Sequence, residues 1–432
     1  MASMHSPAPP PLSGPPAPVL PPPRILIIGA GITGLLVAQA LKVHNIPFTI
    51  YERDPSPSHS GVGWALTLHW ALPVFLSVLP DSLLPHLPST YVNPEASAAG
   101  EDGNFLLLDL RTGDEKWRVP PNRRIRVRRE GLRKVLMEEV DVEWGKKLED
   151  VTATESGLLA RFADGTVASG AMLVGCDGAR SRVRQLMCPR TYQNHELPVR
   201  LLGVSVIYPA KKVKAMRALD PFFLQAADYK ADVFFWFSFL DTPTSNTRNT
   251  DTYACQILTS YPFRPGFLGN LEPTEVPTSS VDRLKLMKSF AAEWAEPMKG
   301  VVLGIPEGTE VKAIRLEDWV PDRADWDNKG GRLTLIGDAA HAMTMYRGEA
   351  ANHGITDVSV FLTHLLPALT PSPGMEIQSK FKIAIEAYEA EMHRRAPTAV
   401  LLSRRACLDA HDGRKIDANS PLVAKRAVRL DE

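Results

Sequence analysis

Cysteine is scarce in this chain. The four, Cys176, Cys188, Cys255 and Cys407 among 432 residues, lie far apart and form no C-x-x-C pair. That argues against a disulfide framework and a zinc site, and for a reducing, cytoplasmic compartment. An excess of one charge is also missing: 49 Lys plus Arg balance 49 Asp plus Glu, so no nucleic-acid or anionic-membrane partner is expected. No run approaches the roughly 18 consecutive apolar residues that a membrane span needs. The longest apolar windows, LLVAQAL at 35–41 and VFFWF at 233–237, have the length of core elements. The N-terminus lacks the basic, apolar and small-residue succession of a signal peptide. Its ten prolines in 23 residues instead predict a disordered Pro-rich arm over 1–23, since such composition buries too little surface to offset ordering entropy.

What is present reads as an ordinary globular protein, 44% hydrophobic and 23% charged. At roughly 150 residues per domain its length suits two large domains or three. RILIIG (24–29), GITGLLVAQALKVHN (31–45) and PFTIYERD (47–54) alternate strand, helix and strand. FLLLDL (105–110) and WRV (117–119) predict two more strands, REGLRKVLMEEV (129–140) a helix, and AMLVGCDGAR (171–180) a buried strand ending in a turn. From 200 to 260 the texture changes to three strands, LLGVSVIY, VFFWFSFL and YACQILTSY, with no helix of comparable strength between them. This predicts an antiparallel sheet in a second domain. Helices are expected over 281–298 and 355–366. A last one runs over 376–395 and resumes after Pro397.

Two motifs carry chemistry. Gly29-x-Gly31-x-x-Gly34 follows a strand and opens a helix, with Glu52 at the end of the next strand. Gly29 permits the tight turn, Gly31 lets a pyrophosphate approach the backbone, Gly34 allows close packing, and Glu52 accepts from a ribose diol. This motif alone does not separate NAD from FAD. Some 300 residues later, Gly337 and Asp338 in GDAAH stand just beyond a strand, before a small-residue stretch. There a planar ligand can lie against backbone, Asp338 can bond a ribityl hydroxyl, and a helix starting near Ala350 aims its donors at a flavin edge. His341 and His353 lack the carboxylates or cysteines that complete a metal site, so no metal is expected. The basic run NRRIRVRREGLRK (122–134) reads as a solvated face from which Arg129 reaches the cofactor.

Taken in order, GAGITG with Glu52, Arg129 in R-x-x-L, VGCDGARSRVRQ (174–185) and GDAAH (337–341) resemble the single-component FAD-dependent monooxygenases of the aromatic-hydroxylase type, particularly those of fungal secondary metabolism. The resemblance spans about residues 24–395. It implies an α/β fold: a Rossmann-like FAD-binding domain with a discontinuous chain (24–190 and 306–370), a substrate domain (191–305) built on an antiparallel sheet covered by helices, and a C-terminal helical region (371–432). Gly29, Gly31, Gly34, Glu52 and Arg53 would hold the ADP half of FAD, with Gly63 and Arg129 along its path. Asp177 and Gly178 fall in a motif shared between FAD and pyridine nucleotide, and Gly337, Asp338, Ala350 and Ala351 would face the ribityl and isoalloxazine part. With no second dinucleotide fingerprint, NAD(P)H would visit transiently.

The implied reaction reduces the flavin with NAD(P)H, adds O2 as a C4a-hydroperoxide, and inserts one oxygen atom into an electron-rich aromatic, indole or polyketide-like molecule. Arg200 and Tyr229 are the candidate catalytic residues, and Phe234, Trp236 and Phe239 the candidate cavity aromatics. Two departures from the family pattern, Met345 for proline and Ala350 for glycine, predict altered control at the flavin face. They keep open an FAD-dependent dehydrogenase or oxidase without oxygen insertion; a non-enzymatic flavin-binding protein is the remaining alternative. The oligomeric state is not legible.

Overall fold

The computed structural model describes residues 23–57, 63–119, 123–246, 248, 250–370 and 375–425. Of the arm expected at 1–23, residues 1–22 lie outside the described residues. A five-stranded parallel sheet orders its strands Leu333–Leu335, Met172–Gly175, Ile25–Ile28, Phe48–Tyr51 and Val142–Glu143. The central strand ILII is wholly buried, as expected of a parallel sheet covered on both faces. Chain order reverses on either side of it, so a crevice opens at its carboxyl end, where Gly29 begins the turn into the helix Ile32–Val43.

The larger sheet has seven strands: Lys312–Ile314, Val199–Pro209, Thr252–Pro262, Val233–Phe239, Phe223–Asp228, Phe105–Asp109 and Glu115–Val119. It is antiparallel except where Phe223–Asp228 runs parallel to Phe105–Asp109. The last two strands come from within the 24–190 span and the first from beyond 305. Strand propensity marks a strand but not the sheet it joins. A helix, Ala210–Leu219, stands between Val199–Pro209 and Phe223–Asp228, where none was expected. It buries only Val213 and Met216, too few apolar positions to make a clear helical stripe.

The helix expected over 281–298 is Ser280–Phe290, followed by a 3-10 turn and the short helix Met298–Leu303. At the C-terminus a single helix, Ile377–Asp409, passes through Pro397 without a break. One lost N–H there is tolerated in a helix packed along its length. Its Phe381, Ile385 and Tyr388 enter the core of the parallel-sheet unit, so the C-terminal region completes that core. Among the described residues no helix is long and apolar enough to cross a membrane.

Candidate functional site

The glycine turn is set by three separate constraints. A Cβ on Gly29, at φ +103°, would lie 2.5 Å from the Cys176 carbonyl oxygen, and one on Gly34 would lie 2.0 Å from that of Gly29. A Cβ on Gly31 would meet nothing within 4 Å. Between them, Ala30 is held from two sides: its N–H donates to Glu52 Oε2 at 2.7 Å, and its carbonyl accepts from Arg133 Nε at 2.8 Å. Glu52 Oε1 accepts from the Asp54 N–H at 3.0 Å. No side chain caps the Ile32–Val43 helix, whose first N–H groups remain for an anion.

A groove of about 720 Å³ runs over this turn, lined by Gly29, Gly31, Glu52, Arg53, Arg129, Asp177 and Gly178. Seven of the expected cofactor residues are thus brought together. Asp177 is committed structurally as well: it accepts from the Arg182 N–H at 2.6 Å, the Val183 N–H at 3.2 Å and Ser181 Oγ at 2.5 Å, fixing the start of the helix Arg182–Met187. Burial raises its pKa against these bonds.

The second motif meets the first. Gly337, at φ +68°, packs on Thr33 of the glycine-turn helix. Asp338 is open to solvent, yet the protein around it desolvates its carboxyl and raises its pKa, with His341, Arg129 and Arg184 pulling the other way. Asp338 is not itself among the residues lining the groove. The Gly337 N–H donates to Asp357 Oδ2 at 2.8 Å. Asp357 also binds His341 Nε2 at 2.6 Å and the Arg395 guanidinium; His341 and Asp357 are fully enclosed. His341 therefore braces the Gly337 turn.

Gly348, at φ +65°, makes the left-handed turn before the helix Ala350–Leu369. Ala350 is the first helical residue, and its φ is negative. The expected conformational restriction at Ala350 is therefore corrected: the position needing glycine is 348, and it has one. Met345 opens a 3-10 turn, Met345–Arg347, so a local turn persists without proline.

A second cavity, of about 180 Å³, lies between this turn and the large sheet. Trp64, Trp236, Gln225, Arg126, Met345 and Ala351 are among its lining residues, as is Ala350. Of the three expected aromatics only Trp236 reaches it; Phe234 packs on Tyr346, and Phe239 on Phe237 and Tyr253. Arg129 lines the groove, and its N–H donates at 3.0 Å to the carbonyl of Trp64, which lines the cavity.

Three expectations are not met. Arg200 lines neither space: it sits 3.6 Å over the Phe263 ring and pairs with Glu196 at 3.4 Å. Tyr229 also lines neither; it packs in the cluster below the sheet, with burial pushing its phenol up to about 12. Gly63 approaches Ser205, and its carbonyl accepts from Gln256 Nε2 at 3.0 Å, outside both linings. Residue type and position near a strand end did not reveal which face those side chains take.

The basic run is likewise not a solvated face. Arg124, Arg126 and Arg133 are buried. The alternation Arg124, Arg126, Arg128, just before and along the strand Ile125–Arg128, was legible as a single face, but not that another sheet covers it. Asn352 was missed too: its Oδ1 accepts from the His69 N–H at 3.0 Å and its Nδ2 donates to the Thr67 carbonyl at 3.0 Å, tying the Ala350–Leu369 helix to the strand Ala65–Leu68.

No family model matches the chain. It is 53% identical over 421 residues to a probable FAD-dependent monooxygenase of Arthroderma benhamiae, covering 95% of this chain and 97% of that one. It is 37% identical over 361 residues to the FAD-dependent monooxygenase tazP of Aspergillus terreus, covering 80% and 89%. Among solved structures, 2,6-dihydroxypyridine-3-hydroxylase from Arthrobacter nicotinovorans superposes with a TM-score of 0.72 at 18% identity, over 95% of this chain and 98% of that one. Klebsiella pneumoniae HpxO complexed with FAD and uric acid superposes at 0.68 and 18%, over 90% and 88%.

Proposed function

The chain is a member of the FAD-dependent monooxygenases, and on that footing we propose that it inserts one oxygen atom from O2 into an electron-rich small molecule, with NAD(P)H as a transient electron donor. The observation that carries this reading is the link at Arg129: a residue of a groove suited to a dinucleotide is hydrogen-bonded to Trp64, which lines an aromatic cavity.

The residues present fit FAD. Open space over Gly31 is what a Cβ would fill, and a diphosphate there would meet the uncapped helix N-terminus and the cations Arg53 and Arg129. Glu52 keeps lone pairs for a ribose beyond its two backbone bonds. Asp338 is accessible for a ribityl hydroxyl, and the helix beginning at Ala350 has no side-chain cap, leaving its first N–H groups to a flavin edge. When bound, FAD supplies the redox chemistry, taking a hydride from NAD(P)H and activating O2.

The protein's own part is to position the substrate and exclude water, and no nucleophile is required of it. Trp64, Phe105, Phe223 and Trp236 wall the cavity, which favours oxygen transfer over loss of hydrogen peroxide. The four cysteines are buried free thiols, which supports residence in the reducing cytoplasm.

The test is NAD(P)H oxidation by FAD-loaded protein under labelled O2, with a panel of phenols and indoles. Substrate-stimulated oxidation with label in the product is expected. Stimulated oxidation that yields only hydrogen peroxide overturns oxygen insertion and leaves an oxidase.

A further inference from the structure

Residues 343–351 line the cavity as one unbroken run. They hold the 3-10 turn Met345–Arg347 and the start of the helix Ala350–Leu369. One backbone bond, from the Gly348 N–H to the Met345 carbonyl at 2.9 Å, closes the turn on itself. A single such bond does not fix where a three-residue turn stands. The anchors are side chains, and they lead to the C-terminal segment.

Thr344 Oγ1 meets Ser403 Oγ at 2.8 Å, and Arg347 Nη1 donates to the Pro421 carbonyl at 2.5 Å. Between them Tyr346, 3% exposed, donates its hydroxyl to Ser260 Oγ at 2.8 Å; the Cys407 thiol meets the same hydroxyl. Ser260 Oγ stands 2.9 Å from His411 Nε2, and His411 Nδ1 stands 2.6 Å from the Cys407 carbonyl oxygen.

The direction of this chain follows from its far end. A carbonyl only accepts, so His411 Nδ1 carries the proton. Burial lowers the imidazole pKa to about 4, so near neutral pH Nε2 offers a lone pair. Ser260 therefore donates to His411, and its oxygen accepts from Tyr346. Each group has one role, and a chain of one polarity holds its members in one arrangement. Packing agrees: the Tyr346 and His411 rings stand edge-on at 5.7 Å, and both lie against Phe234, at 5.1 and 6.4 Å.

Ser260 and His411 line neither the groove nor the cavity. We propose that His411 is a positioning residue for oxygen transfer: through Ser260 it fixes Tyr346, and with it the turn that walls the cavity just before the Ala350–Leu369 helix. The consequence for the product rests on the monooxygenase reading; the hold on the turn does not. A wall that shifts admits water, and a wet site loses its oxygen as hydrogen peroxide.

Proline at 345 gives an independent check. Position 345 opens the 3-10 turn, and Thr344 before it is extended at φ −70° and ψ 164°. Among the described residues the Met345 N–H donates to no backbone group. Proline fits such a position and stiffens the turn from within.

The test is hydrogen exchange of the FAD-free protein, followed by mass spectrometry on the 343–351 peptide relative to its intrinsic rate. His411→Phe keeps a ring and removes the acceptor; Tyr346→Phe removes only the hydroxyl. Each should speed exchange by about three- to tenfold, the worth of one hydrogen bond. The double variant should go no further, since both changes break one chain. Adding Met345→Pro to His411→Phe should restore the wild-type rate. His393→Phe, the same change at a histidine packed on Trp326, should leave this peptide alone. Unchanged exchange in either single variant, additive effects, no recovery with proline, or equal acceleration by His393→Phe overturns the proposal.

Should His411→Phe not fold, Tyr346→Phe and its rescue by Met345→Pro decide alone. In FAD-loaded protein, His411→Phe should raise the share of NAD(P)H spent on hydrogen peroxide by about threefold, and Met345→Pro should return it. Exchange that responds as expected while no product carries labelled oxygen would sink the monooxygenase reading alone. Label incorporated equally well by wild type and His411→Phe would sink this proposal alone.

Discussion

Thr33 and Gly337, from opposite ends of the chain, are in direct contact: a Cβ built on Gly337 would stand 2.9 Å from Thr33 Oγ1 and 3.1 Å from its Cγ2. The first turn of the glycine-loop helix thus rests on the turn that precedes Asp338. Any alteration of one turn moves the other, and a ligand spanning both would feel it.

Gly337→Ala should therefore weaken fold and cofactor together. Left-handed strain at φ +68° and the contact with Thr33 together cost about 2 kcal/mol, read as a lower melting temperature, and FAD should be lost on desalting. Gly31→Ala is the contrast. With an ordinary φ of −77° and open space for its Cβ, it should leave melting of the FAD-free protein within about 0.5 kcal/mol. Its FAD affinity should still fall by about tenfold or more, because the methyl occupies room meant for the pyrophosphate.

Asp357→Asn should destabilise by about 3 kcal/mol, since it leaves the largely enclosed Arg395 guanidinium without its carboxylate and the enclosed His341 with a weaker hydrogen-bond partner. Denaturant titration gives the energy. Parallel FAD titration should show weaker binding, because the Gly337 N–H depends on the same carboxylate.

Arg200→Ala and Tyr229→Phe should change kcat/KM by less than about twofold, since neither side chain lines the groove or the cavity. Tyr229→Phe should be neutral or stabilising, because its hydroxyl is buried without a partner. Steady-state kinetics and melting curves check both.

Stability should fall on acidification below about 6.5, the unfolded histidine pKa. Burial lowers His411 and His393 to about 4, and burial with Arg395 lowers His353 well below the ordinary value. A depressed folded pKa contributes stability that is present above the unfolded pKa and lost as pH falls from there toward the folded one. Glu389, raised by burial to about 7, works in the opposite sense over about 4.5 to 7, as do Asp177, Asp220 and Asp338, whose carboxyls burial also raises. Unfolding free energies between pH 7.5 and 5 should decline, and His411→Gln should make that decline shallower.

The glycine turn was legible because its requirements are local. Tight turn, close approach and helix packing each need glycine at a short fixed spacing, and Glu52 stands where the next strand must end. The helix Ala210–Leu219 and the parallel pairing of Phe105–Asp109 were not legible, since few apolar positions and generic strand propensity do not name a partner. Arg200 and Arg126 make the same point in reverse. The residue chosen as catalytic stacks on Phe263 at the side, and the one read as solvated lies buried in the cavity wall.

Amino-acid order alone determined the family, the cofactor and the turns that would hold it, because each depends on chemistry within a few residues along the chain. Tertiary structure decided which strands built the cavity, which arginine lost its solvent, and that Ala350 is harmless because Gly348 takes the left-handed turn. Burial and counter-charge depend on segments remote in sequence, and a side chain's neighbours across a sheet are set only when the sheets close.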